Sequence, residues 1–67
     1  MSIAKVIEVI AESDESFDDA VNKGVTDASA TVKNVRSIWV KEMTGLVENG
    51  KVKTFRVAMK VTFVVDR

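Results

Sequence analysis

Apolar and polar residues alternate along residues 51–65, where Phe55, Val57, Met59, Val61 and Phe63 are interleaved with Thr54, Arg56, Ala58, Lys60 and Thr62. A period of two predicts a strand with one core face. A second β-patterned stretch, RSIWVKEMTGLVE at residues 36–48, precedes it across Asn49-Gly50. Both turn residues tolerate the positive φ of a type I′ turn, so the pair predicts a tight hairpin. With Asn49 and Gly50 as the loop, Glu48 faces Lys51, and the register continues through Thr44–Phe55, Val40–Met59 and Ile38–Val61. The core face takes Ile38 and Val40. The other face takes Ser37, Trp39, Lys41 and Met43, joined by Val47, Val52, Arg56 and Lys60, and its mixed character predicts that a partner chain covers it. Glu42 and Lys53 interrupt the apolar face.

Residues 3–11, IAKVIEVIA, are β-branched and apolar, with Lys5 and Glu8 on opposite faces of an extended segment. They predict a strand covered at least partly on both sides. A helix follows. Ser13 is a good N-cap, with Ser16 and Asp19 offering an alternative cap one turn later, and Asp14, Glu15, Asp18 and Asp19 suit the positive end of the helix dipole. Phe17, Ala20, Val21, Gly24, Val25, Ala28 and Val32 then fall on one helical stripe. Its small residues allow a close approach to a sheet, which accommodates Gly24 despite a helix-propensity cost of about 1 kcal/mol. Asn34 ends the helix.

This order predicts an α+β fold, β-α-β-β, in which a three-stranded antiparallel sheet of order 1-3-2 wraps on one helix, with residues 1–67 forming a single domain. A helix over about residues 14–33 spans roughly 30 Å, whereas a strand over residues 52–65 spans about 46 Å. One helix cannot cover such a hairpin, so other copies are expected to bury the remainder. Sixty-seven residues make a small core that often needs a supplement. The absence of Cys and His excludes disulfides, Cys or His zinc sites and the usual nucleophile–base pairs, leaving self-association. Ten basic and ten acidic residues give no bulk charge for nucleic acid. No apolar run approaches a membrane span, and the N-terminus lacks a targeting pattern, so the expected location is the cytoplasm.

Candidate chemistry is sparse. No nucleophile–base set and no Gly-rich phosphate loop is present, and no enzyme is expected. Trp39 is the sole Trp and there is no Tyr, which makes it an interface anchor, with Met43 beside it on that face, or a stacking platform for an aromatic ligand. Lys60 is its expected cross-strand neighbour. Arg56 has the donor geometry to read a phosphate or carboxylate. Asp14, Glu15, Asp18 and Asp19 offer carboxylates to a hard divalent cation such as calcium, although dipole complementation explains the same residues without a metal.

The strings KVIEVIA, SDESFDDAV, TVKNVRSIWVKEMTG and TFRVAMKVTFVV occur in this order, and across nearly the whole chain they resemble the dodecins. The resemblance implies a hollow homododecamer built from trimer contacts, with riboflavin, FMN or lumichrome-type ligands held in pairs at subunit interfaces for storage or photoprotection. It further implies a stacking Trp where this chain has Ser37, and a hydrogen-bonding Gln where it has Arg56. On that basis the chain is expected to be a dodecin variant lacking the flavin-stacking Trp and the Gln. Its ligand site would then involve Ser37, Trp39 and Arg56, and flavin would bind weakly or not at all. The alternatives implied are an ordinary flavin-storage dodecin and a calcium-binding structural dodecin.

Overall fold

The computed structural model describes residues 2–66. Strand β1 (Ser2–Ser13) leads to helix α1 (Phe17–Thr31), and β2 (Val35–Glu48) and β3 (Lys51–Asp66) form the hairpin. The three strands make one antiparallel sheet of order β1-β3-β2, with α1 on one side, as the sequence pattern requires. No helix among the described residues is long and apolar enough to cross a membrane.

Asn49 (φ 54°) and Gly50 (φ 75°) both occupy the left-handed region, and Glu48 pairs with Lys51, as a type I′ turn demands. The register nevertheless departs from a simple hairpin. Val47 faces Val52 but Leu46 faces Thr54, so Lys53 is an extra residue on β3; Val40 faces Met59 but Glu42 faces Ala58, so Lys41 is an extra residue on β2. The second bulge undoes the shift made by the first. Val40–Met59, Trp39–Lys60 and Ile38–Val61 therefore pair as expected, while Phe55 faces Gly45 instead of Thr44, and Arg56 faces Thr44 instead of Met43. Met43 moves to the helix side of the sheet, opposite Val57.

Helix α1 is capped by Ser16, not Ser13. Ser16 is extended (φ −166°, ψ 165°), and its hydroxyl accepts from the Asp19 N–H at 2.9 Å. Ser13 remains in β1, nearly fully buried, and its hydroxyl organises the turn. It accepts from the Glu15 N–H at 2.9 Å and donates to the Asp19 carboxylate at 2.5 Å. At the other end Asn34 adopts φ 61°, and its N–H-bearing amide donates to the Val64 carbonyl at 3.3 Å while its own carbonyl accepts from the Val64 N–H at 3.1 Å.

The small-residue stripe packs as its pattern implies. Ala20, Gly24 and Ala28 are the buried residues of α1; Ala20 clusters with Val57 and Met59 of β3, with Val9, Ala11, Phe17, Val21, Ile38 and Val40 around them, and Gly24 lies against Met59, Ala11 and Val9. Phe17 meets Phe55 edge to face at 5.0 Å between centroids. Val57, Met59 and Val61 are the largest fully buried side chains, each contributing about 1.5–3 kcal/mol by removal from water. Fifteen helical residues span only about 22 Å, whereas the molecule is 52 Å long. The hairpin end projects past the helix, leaving Met43, Val47 and Val52 exposed there.

Candidate functional site

The face of the sheet turned away from α1 carries the second exposed apolar group. Residues that alternate with the core positions lie on it: Val6, Glu8, Ile10 and Glu12 from β1, Ser37 and Trp39 from β2, and Arg56, Ala58, Lys60 and Thr62 from β3. Trp39 is 61% exposed and Ile10 70% exposed, with Val6 also open to solvent. Lys60 places its ammonium 5.6 Å from the centroid of the Trp39 ring, within cation–π range.

Charges on this face are organised across strands. Lys41 Nζ donates to Glu8 Oε1 at 3.3 Å, reaching from β2 over β3 to β1. Arg56 Nε donates to Glu12 Oε2 at 2.6 Å, between residues paired directly in the sheet. Neither partner of Lys41 or Arg56 was identified from sequence, because no turn fixes the register between β1 and β3. The signal was the run Val6, Glu8, Ile10, Glu12, in which every second residue of β1 shares one face.

The three expected ligand residues do not converge within one chain. Ser37 pairs with Thr62 and Trp39 with Lys60, whereas Arg56 pairs with Thr44. Arg56 and Lys60 are four residues apart on β3, about 13 Å. No enclosed cavity is found among the described residues. The expected variant without a stacking tryptophan is corrected by Trp39 itself, whose ring stands exposed on the outer sheet face. The resemblance places the stacking aromatic at Ser37, whereas the exposed aromatic ring of this face is Trp39, two residues further along β2.

The acidic residues at the start of α1 are spread out. Among the described residues no group of three or more acidic side chains is placed to hold a metal ion. Asp14, Glu15 and Asp18 are exposed, and Asp19 is engaged by Ser13 and by Lys23, whose Nζ lies 3.0 Å away. The hydrogen bond from Ser13, then that from Lys23, holds the Asp19 carboxyl below its ordinary range. A depressed folded-state pKa contributes stability that is fully present above the unfolded value of about 3.9 and is lost as pH falls through the folded value. Asp19→Asn is therefore expected to reduce the difference in urea midpoint between pH 7 and pH 3. An acid-side loss equal to that of the wild type would contradict this role for Asp19.

The dodecin family model matches residues 3–66. Among solved structures, the chain is 30% identical to dodecin from Streptomyces davaonensis, with 98% of this chain and 97% of that chain covered and a TM-score of 0.92. It is equally identical to dodecin from Streptomyces coelicolor, covering 98% and 94% with a TM-score of 0.92. The tt0972 protein from Thermus thermophilus shares the fold at 24% identity, covering 100% and 98% with a TM-score of 0.94. No curated protein matches the chain. Dodecins are non-catalytic storage proteins that generally bind flavins and typically assemble as homododecamers. With its β-α-β-β fold and a match over residues 3–66, this chain belongs to the dodecin family, as a small-ligand-binding protein and not an enzyme.

Proposed function

We propose that this chain stores a planar aromatic ligand between copies of a hollow homododecamer assembled from trimers, with Trp39 as the stacking platform and Ser37 and Arg56 as further contacts. The observation that carries this is the Trp39 ring, 61% exposed on a sheet face that α1 leaves open. Because Ser37, Trp39 and Arg56 are strung along the sheet, a second copy is needed to bring residues onto both sides of a ligand. Met43, on the overhanging hairpin end, serves a separate contact between copies.

Flavin is held weakly in this account because of Arg56. Guanidinium groups only donate hydrogen bonds, so Arg56 offers no acceptor to the imide N–H of a flavin ring, and its Nε is already committed to Glu12. Arg56→Gln restores an acceptor while removing only an exposed ion pair worth about 0–1 kcal/mol. Fluorescence titration with riboflavin is expected to give an affinity about tenfold higher for Arg56→Gln than for the wild type, one hydrogen bond's worth at about 1.4 kcal/mol per decade. Equal affinities, or nanomolar binding by the wild type, would contradict the weak-flavin proposal.

A further inference from the structure

We infer that the ligand taken on Trp39 is an aromatic ring bearing an anionic substituent, and that Lys60 is the residue that selects it. This deepens the storage function proposed above and rests on Trp39 being the stacking platform. Six charged side chains occupy the outer face around the ring: Glu8, Glu12, Lys41, Glu42, Arg56 and Lys60. Four of them are tied into two pairs, Lys41 with Glu8 and Arg56 with Glu12. Among the described residues Lys60 has no carboxylate within ion-pair distance; its ammonium lies over Trp39 instead.

That position fixes what Lys60 does when a ring arrives. A planar ligand stacked on Trp39 displaces the ammonium from the ring face, and the pairing of Lys60 with Trp39 across the strands keeps it at the ligand's edge. There it loses its cation–π contact and part of its hydration. A carboxylate or similar anion on the ligand compensates both losses through a charge-assisted hydrogen bond, and a neutral ring does not. Lys41 and Arg56 do not compete for this task, since each is ion-paired to a carboxylate, whereas Glu8, which stands opposite Lys60 in the sheet, is paired with Lys41 and not with Lys60. Glu42, two residues along the sheet opposite Ala58, leaves the ring edge itself to Lys60.

The test uses two probes with the same ring and different charge, 2-naphthoate and 2-naphthamide, titrated calorimetrically against the assembled protein. The wild type is expected to bind the naphthoate about tenfold more tightly, the scale of a hydrogen bond to a charged group. Lys60→Met, which keeps an unbranched stem against the Trp39 ring, should abolish the preference. Lys60→Arg and Lys41→Met should both retain it. Equal affinity of the wild type for the two probes, or a preference that survives Lys60→Met, would overturn the role of Lys60 while leaving the stacking site standing. Failure of the wild type to bind either probe would instead overturn the Trp39 site, and this inference with it.

Discussion

Replacing Trp39 by alanine is expected to lower the affinity for planar aromatic ligands by about 100-fold while leaving the fold of the single chain nearly untouched. The separation follows from exposure. Trp39 is 61% exposed and stands outside the cluster formed by Ala20, Val57 and Met59, so its removal opens no cavity of the kind that makes core truncations costly. A ligand stacked on the ring buries apolar area on both partners at about 25 cal/mol per Å², with about 0.5–1.5 kcal/mol more from the stacking geometry. Together these amount to about 3 kcal/mol, or two decades in affinity. Trp39→Phe keeps a smaller ring and should lie between. If the same ring also anchors a contact between copies, light scattering on Trp39→Ala will show assembly weakened by about 2 kcal/mol or more per contact. Unchanged ligand affinity in Trp39→Ala would remove the proposed platform.

The largest effect on folding is expected at Gly24. A Cβ built there would lie 3.1 Å from the Ala11 Cβ and would meet the terminal methyl of Met59, so the helix approaches the sheet as closely as a glycine permits. Gly24→Leu drives a whole side chain into that contact. Overpacking typically costs about 1–3 kcal/mol and occasionally more, and here the neighbours are the two strands that the helix must seat against. A loss of about 3 kcal/mol is expected, against a total of about 3–10 kcal/mol for a chain of this length. Gly24→Ala separates packing from propensity. It gains about 1 kcal/mol as a helix former, and the flexible Met59 side chain can yield to a single methyl, so its urea midpoint should stay close to the wild-type value. Equal and large losses for both variants would contradict this account of the helix–sheet contact.

These two positions illustrate what was legible in the sequence. Gly24 could be placed on the buried stripe because Phe17, Ala20, Val21, Val25, Ala28 and Val32 repeat at helical spacing around it, and the sheet order followed from a hairpin turn that Asn49 and Gly50 specify chemically. The central register was harder. Glu42 and Lys53 broke the apolar alternation, and the structure resolves those breaks as bulges at Lys41 and Lys53. An extra residue flips the side chains beyond it to the other face, which is why Met43 was placed beside Trp39 when it lies opposite Val57. The helix start was ambiguous for a similar local reason. Ser13 and Ser16 are both competent caps, and the choice went to Ser16 because β1 runs on to Ser13 and uses that hydroxyl to hold Asp19.

The outer face was only half legible. Trp39 and Lys60 could be paired through the hairpin, since the two bulges that lie between them and the turn cancel and return the register to the one the turn sets. Nothing in the sequence fixed how β1 sits against β3, so the pairs Glu8–Lys41 and Glu12–Arg56 emerged only in three dimensions. They change the chemistry of the face: two of its three cations are already neutralised, and the one left beside the aromatic ring is Lys60.

The claim on which the function rests is that the open sheet face and the overhanging hairpin are closed by further copies of the chain, since one copy alone encloses no ligand. Multi-angle light scattering of the purified protein measures this most directly. The account predicts a monodisperse particle of about 89 kDa, twelve times the 7.4 kDa chain. A monodisperse species of 7.4 kDa would contradict it.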